Sequence, residues 1–378
     1  MRRRVLLKAA VVAAAAATVP LGGRAVASAA SPTAAAVAAL RADLARLPAG
    51  WQSRLAARLK AMGWTSPWSR YVSAATGQAG TCSQPTGIGD YIDSTLKGAD
   101  GEVVNAIGMA GGFVLPFVDV IEFATDATPR TFGVNGEYTT TLTHAFRDVK
   151  RFWDIASDDI LFVPMHGADV FGDERRTARS LALLYGVSES EALPIARDLR
   201  TLLALEPRLD GGRNPLFSFN AVAVPTYPGS DRPKLIMGDG IMQAMTWLGL
   251  GDIAPRSIMA HEFGHHVQFE DGIEFGGDVA SGRRAELMAD ALGTYFLVHA
   301  RGQALNTKRT LDTARSFYEV GDCYTEEFGH HGTPAQRMAA SRWAADVANE
   351  ARPQGAIQPS RSFVARFDAA LPGILAAT

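Results

Sequence analysis

Cysteine is scarce in this sequence: Cys82 and Cys323 are the only two among 378 residues. They lie 241 positions apart, a separation that suits neither a zinc knuckle nor a redox Cys-x-x-Cys pair. One disulfide would form in an oxidising compartment if the fold brings them together. The alternatives are two free thiols, or a Cys82 that blocks a metal site from within a removable pro-segment.

The sequence also lacks a large excess of positive or negative charge. The chain has 37 Lys and Arg against 39 Asp and Glu, a formal net charge of −2. Such a chain has no long-range positive field with which to gather nucleic acid or an anionic membrane surface. We therefore expect no nucleic-acid partner. With 47% hydrophobic and 20% charged residues, the chain is typical of a protein with one or two cores.

Long apolar runs are missing beyond the N-terminus. Arginines at positions 2–4 precede an apolar stretch over residues 5–19, and small residues follow around Ala27. This order predicts an export signal peptide over residues 1–30, and its start resembles the twin-arginine export signal. The stretch is short for a permanent span, which needs about 20 apolar residues. An uncleaved membrane anchor is the alternative.

A second apolar stretch, over residues 109–123, contains Asp119 and Glu122, which lipid tolerates poorly. We predict that this stretch belongs to the core. Together the two stretches predict an exported protein, secreted or held in the cell envelope, with no stable membrane span after signal removal.

The residues after the leader divide into three ranges. Residues 31–128 are predicted to be a helical N-terminal region of unknown role, for which a pro-region is one candidate role. Residues 129–352 are predicted to form a domain of their own, and residues 353–378 a C-terminal tail or short helix. The hydrophobic periodicity predicts an α+β fold that is predominantly helical.

Apolar residues at helical or alternating spacing place individual elements within these ranges. The predicted strands cover residues 138–142, 216–224 and 234–237. The predicted helices cover two short segments on either side of residues 48–50, residues 144–155, and residues 175–205 with breaks around Gly186 and Pro194.

The pattern His-Glu-x-x-His occurs at residues 261–265, in a segment that Pro255 predicts to begin as a helix. At 3.6 residues per turn, His261 and His265 project from one face, about 6 Å apart along the axis. Glu262 lies about 100° away, where its carboxylate can reach a water on a metal without binding the metal. The segment therefore predicts two nitrogen ligands and a general base.

A catalytic zinc ion takes three protein ligands and leaves one position to water. The best candidate for the third ligand is Glu286, 21 positions after His265, on a predicted helix of its own. Asp290, one turn further on the same face, is predicted to accept the second ring N–H of His261 and so fix its tautomer. Small residues would allow the two helices to approach closely: Gly264, Ala285, Ala289 and Gly293.

A surface cluster of histidine and glutamate without a metal is the alternative interpretation of these residues. The motif lies on a predicted helix, behind a signal sequence, with a Glu-x-x-x-Asp helix at a suitable distance. This context favours an active-site metal. The predicted cofactor is Zn²⁺.

These residues resemble the zincins, and Glu286 followed by Asp290 resembles the gluzincin branch. Four ordered blocks are similar to the bacterial neutral zinc metallopeptidase family: residues 260–268 (AHEFGHHVQ), 286–290 (ELMAD), 320–322 (VGD) and 331–337 (HGTPAQR). The resemblance covers about residues 234–345. The resemblance implies a zincin-like domain with His261, His265 and Glu286 as ligands and Glu262 as the catalytic residue. The chain departs from the family pattern at Ala291 and Cys323, where cysteine and an acidic residue are often found.

By the same resemblance, His331 is a candidate to stabilise the developing oxyanion. His330, Tyr295 and Tyr324 compete for this role. In the alternative interpretation, residues 331–333 only cap the helix that follows, because Thr333 before a proline is a good helix start. Arg337 is then a structural ion-pair partner.

The resulting functional hypothesis is an exported zinc metallopeptidase with a peptide or protein substrate. Its reaction is hydrolysis by water, without a covalent enzyme intermediate. Two other classes are kept: a zinc-binding interaction protein of the cell envelope that hydrolyses nothing, and a metallo-amidase that acts on a non-protein amide. An intact Glu262 favours hydrolysis, because a protein that needs only the metal has no use for a base there.

Overall fold

The computed structural model describes most of the chain after the leader. The described residues are 31–61, 87–227, 230, 232–273, 278–320, 332–351 and 355–377. The predicted signal peptide, both cysteines and His331 lie outside these residues, so their predictions stay open.

Helices dominate the described residues. In chain order the α-helices are α1 (Pro32–Arg46), α2 (Trp51–Ala61), α3 (Gly87–Leu96), α4 (Gly101–Met109), α5 (Leu115–Phe123), α6 (Thr139–Phe152), α7 (Gly167–Gly172), α8 (Glu174–Tyr185), α9 (Glu189–Leu205), α10 (Asp239–Trp247), α11 (Ala254–Glu270), α12 (Val279–Val298), α13 (Thr307–Val320), α14 (Pro334–Glu350) and α15 (Ser360–Leu375). The strands are β1 (Leu161–Met165), β2 (Ala221–Val224) and β3 (Lys234–Gly238). The predicted class, α+β and mostly helical, is confirmed.

The described residues form two compact units, each assembled from separate segments. The first unit comprises residues 31–61, 96–115 and 167–214, and the second comprises residues 87–95, 116–166 and 215–377 with the gaps given above. The sequence-predicted ranges 31–128, 129–352 and 353–378 are contiguous, and these boundaries stay predictions.

In the first unit, α8 and α9 pack together. Gly186 adopts φ +65° and ends α8, so the predicted break at Gly186 is confirmed. The predicted break at Pro194 is wrong, because α9 continues through it. Buried residues on both sides of the proline, Ala192 and Ile195 among them, hold the helix against the core and outweigh the lost backbone hydrogen bond.

The second unit contains a three-stranded sheet with the order β1-β3-β2. The central strand β3 is parallel to β1 and antiparallel to β2. All five residues of β1 and of β3 are buried, and the predicted strand at 234–237 is confirmed. The predicted strand at 216–224 is only partly right, because strand pairing begins at Ala221. The preceding residues Pro215–Ser218 form a 3-10 helix, and Ser218 Oγ accepts from Gly240 N–H at 3.0 Å.

The predicted strand at 138–142 is wrong, because this segment begins helix α6. Its run of threonines favours a strand. However, the buried residues of α6 are Leu142, Ala145, Val149 and Phe152, which recur at helical rather than alternating spacing. Burial of this face in the core of the second unit decides the outcome.

Helices α11 and α12 pack closely because two glycines face the partner backbone. A Cβ on Gly264 would lie 3.1 Å from Ala289 Cα, and a Cβ on Gly293 would lie 2.9 Å from His261 N. Pro255 lies in the first turn of α11, and Asp278 caps α12 through its bond to Ser281 N–H at 2.8 Å. The predicted pair of closely spaced helices is confirmed.

We expect Gly293→Ala to destabilise the second unit by about 1–3 kcal/mol, because the added methyl group meets backbone atoms that cannot move aside. Gly282→Ala is the matched control on the same helix, since its Cβ would meet nothing within 4 Å. That change should stabilise by about 0.5–1 kcal/mol. Urea unfolding of both variants measures the difference, and equal midpoints would contradict the close approach at Gly293.

The C-terminal helix α15 is part of the second unit. Phe363 and Phe367 are fully buried. Both carboxylate oxygens of Asp368 accept from the guanidinium of Arg284, each at 2.7 Å. The C-terminal range therefore contains a helix of 16 residues that is bonded directly to α12.

Within the described residues, no single helix is both long and apolar enough to cross a membrane. The segments Gly101–Met109 and Gly112–Phe123 meet that test only when taken together. Most of their side chains are buried, as predicted for a core stretch.

Candidate metal centre

His261 and His265 lie one turn apart on α11 and face the same direction. Their ring centroids are 4.8 Å apart and their planes are nearly perpendicular, at 88°. Both residues are buried, with 6% and 8% of their surface exposed. The helix therefore presents two imidazoles at one point of a site that is largely shielded from solvent.

Glu286 on α12 completes a group of three candidate ligands with the two histidines. Its Oε2 lies 3.4 Å from His261 Nε2, and its Oε1 lies 3.6 Å from His265 Nε2. One candidate ligand atom from each residue lies within 4.8 Å of the others. The structure thus brings together the three residues that the sequence predicted as ligands, in a buried group that could hold a metal ion.

The carboxylate of Glu286 lies at similar distances from the Nε2 atoms of the two histidines. A good N–H···O bond is about 2.7–3.2 Å long, shorter than either distance. Ligand atoms about 2.1 Å from a tetrahedral metal lie about 3.4 Å from one another. The observed 3.4 and 3.6 Å, each to a different oxygen of Glu286, are close to this length.

The charge of the site also suits a cation. Burial lowers the pKa of the His261 ring, but the carboxylates of Asp290, Glu286 and Glu262 outweigh burial and raise the pKa to about 10. These acidic groups therefore favour a positive charge at His261. A divalent cation bound to the ring nitrogen would meet the same electrostatic demand as a proton.

Asp290 makes the contact that the sequence predicted. Its Oδ1 accepts from His261 Nδ1 at 2.8 Å, which leaves Nε2 directed at Glu286. Arg337 on α14 donates two bonds to the same carboxylate, from Nε to Oδ2 at 2.7 Å and from Nη2 to Oδ1 at 2.6 Å. The sequence predicted an ion-pair role for Arg337, but not its partner.

Gln268 is a site residue that the sequence analysis missed. Its Oε1 accepts from His265 Nδ1 at 2.9 Å, and its side chain is fully buried. Gln268 therefore accepts from Nδ1 of His265 as Asp290 accepts from Nδ1 of His261. Its position three residues after His265 on one helix is the signal that could have found it, since such residues are neighbours on a helix surface.

Glu262, the predicted general base, lies on α11 with 8% of its surface exposed. No hydrogen bond within the described residues engages its carboxylate. His266 does not join the group: burial lowers its pKa to about 3, and its neutral ring donates from Nε2 to Lys234 O at 3.1 Å.

The proposed oxyanion residue His331 lies outside the described residues, and its role stays a prediction. The helix start that follows it is described. Thr333 Oγ1 accepts from Gln336 N–H, and Gln336 Oε1 accepts from Thr333 N–H, both at 3.2 Å. The predicted capping role of Thr333 is confirmed. Tyr295, a competing candidate, is fully buried, and its hydroxyl accepts from Gln358 N–H at 3.0 Å.

No protein-family model, curated protein or solved structure matches this chain. The residues of the site are therefore the basis for a functional proposal.

Proposed function

We propose that this protein is an exported zinc-dependent metallopeptidase. The observation that carries the proposal is the convergence of His261, His265 and Glu286 within 4.8 Å in a buried site, with the carboxylate of Glu262 beside it. The resemblance of the four sequence blocks to zinc metallopeptidases with a zincin-like domain supports the same class. The predicted leader over residues 1–30 supports export.

Zinc is the cation that this donor set suits best. Two imidazole nitrogens and one carboxylate oxygen are the ligands of one established kind of catalytic zinc site, which keeps a fourth position open. Magnesium and calcium prefer sites built from oxygen ligands alone. When bound, zinc lowers the pKa of a coordinated water and polarises a substrate carbonyl.

The protein's own residues then perform three tasks. Asp290 and Gln268 each accept a hydrogen bond from Nδ1–H of one histidine and so direct the Nε2 lone pairs toward the cation. Glu262 takes a proton from the attacking water and delivers it to the amine that leaves when the peptide bond breaks. The burial of both histidines keeps bulk solvent from the charges that develop.

Two measurements on the purified protein test the proposal together. We expect about one zinc ion per chain, as for a mononuclear catalytic site. We also expect cleavage of members of a peptide library that stops when a chelator is added and resumes when zinc is restored. Bound zinc without cleavage would leave only the interaction protein or the amidase, and a chain without zinc would end the proposal.

Glu286→Ala should lower the zinc content of the purified protein well below one ion per chain, because it removes the only oxygen donor of the group. Glu270→Ala on the same chain is the matched control. Glu270 is exposed at the end of α11, and its loss should leave the zinc content unchanged. Metal analysis after equal dialysis compares the two, and full zinc content in Glu286→Ala would remove Glu286 from the ligand set.

A further inference from the structure

Gln268 is a buried polar side chain that contacts the metal centre but takes no part in proton transfer. Both the oxygen and the nitrogen of its amide make hydrogen bonds. Oε1 accepts from His265 Nδ1 at 2.9 Å, and Nε2 donates to the backbone oxygen of Ala285 at 2.7 Å. Since Ala285 precedes Glu286 on α12, one side chain contacts both a candidate ligand on α11 and the backbone beside the third candidate ligand.

These two bonds leave the amide one orientation. If its oxygen and nitrogen were exchanged, the oxygen would face the oxygen of Ala285 and both groups would be acceptors. The amide nitrogen must therefore face Ala285, and the amide oxygen must face His265. His265 then carries its proton on Nδ1, so the lone pair of Nε2 faces Glu286 Oε1, 3.6 Å away.

The partners of the two histidines differ in charge. His261 is bonded to Asp290, an anion that Arg337 partly neutralises. His265 is bonded to a neutral amide. A neutral partner orients the ring without adding a further negative charge to a site that already contains three carboxylates. An amide also offers the donor that Ala285 O requires, which a carboxylate lacks.

We propose that Gln268 is a positioning residue that fixes the ring of His265 and ties it to the helix that carries Glu286. This inference rests on the proposed metal site and concerns how that site is held in shape. Loss of such a partner of a metal-binding histidine lowers metal affinity by about 10- to 100-fold.

The experiment compares Gln268→Met, which removes both bonds, with Gln268→Glu, which keeps an acceptor for His265 Nδ1. Zn²⁺ affinity is measured by competition with a chromophoric chelator, and the geometry of the site by the visible absorption of the Co²⁺-loaded protein. Gln268→Met should bind Zn²⁺ about 10- to 100-fold more weakly and change the Co²⁺ bands. Gln268→Glu should recover only part of the affinity, because its carboxylate accepts from His265 Nδ1 but cannot donate to Ala285 O.

Gln303→Met is the matched control, since Gln303 is a part-buried glutamine of the same unit that bonds Asp148 at 3.1 Å and touches no candidate ligand. It should change neither affinity nor spectrum. If Gln268→Met does not fold, Gln268→Asn is used in its place. The asparagine side chain is one methylene shorter and cannot reach both His265 and Ala285.

Two results would separate the possible failures. A wild-type chain that binds no stoichiometric Zn²⁺ defeats the proposed function. A wild-type chain that binds Zn²⁺, with equal affinity and equal Co²⁺ bands in Gln268→Met or Gln268→Asn, overturns the positioning role alone.

Discussion

Glu262→Gln should abolish hydrolysis while the protein keeps its metal. The amide has the size of the carboxylate but cannot accept the proton of water, and loss of a general base typically costs about 10²- to 10⁴-fold in rate. Metal content should not change, because Glu262 does not belong to the group of candidate ligands. The measurement is turnover of a peptide from the library digest, with zinc content determined on the same samples.

The matched control is Glu270→Gln, the same chemical change at an exposed position of the same helix. Its turnover should equal that of the wild type. Unchanged turnover in Glu262→Gln would refute the base mechanism. Lost metal in that variant would instead mean that Glu262 takes part in binding.

Arg337→Met should produce the largest loss of stability. The Arg337–Asp290 pair is buried, with 3% and 0% of the side chains exposed. Removing the guanidinium leaves the buried Asp290 carboxylate with His261 as its remaining partner, and the loss of one partner of a buried ion pair typically costs about 3–5 kcal/mol. Urea unfolding of the metal-free protein measures this cost without a contribution from metal binding.

Two comparisons separate charge from packing. Arg366→Met breaks the exposed pair with Glu350, where 39% and 58% of the side chains are exposed, and should cost no more than about 1 kcal/mol. Combining Arg337→Met with Asp290→Asn should recover part of the loss, because the buried negative charge that lost its guanidinium partner is removed as well. A single Arg337→Met variant as stable as Arg366→Met would show that the pair contributes little.

The pair also gives stability a pH dependence with a defined sign. Burial alone raises the pKa of Asp290, but Arg337 and His261 hold the pKa below its ordinary value. A carboxyl group with a lower pKa in the folded chain stabilises the fold above its unfolded-state pKa. This stabilisation is lost as the pH falls through the folded-state value.

The part of the site within one helix could be predicted from the sequence. His261, Glu262 and His265 are placed by the period of the helix alone. The prediction of Glu286 as a ligand required the further inference that small residues let two helices approach closely. In the structure, Gly264 and Gly293 lie where the two helices are in close contact. The contact of Gln268 with His265 could have been predicted from the same helical period, but Gln268 belongs to no common metal-ligand motif.

Contacts between distant segments could not be predicted. Nothing in the local pattern around Arg337 indicates that its partner is Asp290, 47 positions earlier. The grouping of residues 167–214 with residues 31–61 in one unit depends on packing across more than a hundred positions. The wrong prediction of a strand at 138–142 has a local cause. The strand propensity of its threonines disagreed with the helical spacing of the residues that are buried in the core.

The bond between Arg284 and Asp368 joins two residues that are synthesised at different times. The third candidate ligand, Glu286, is synthesised 82 residues before Asp368, the residue that anchors its helix to α15. At about 5–20 residues per second, translation takes about 4 to 16 s to cover that distance. A nascent chain thus carries every candidate ligand for about 4 to 16 s before Asp368 is available to accept from Arg284 on α12.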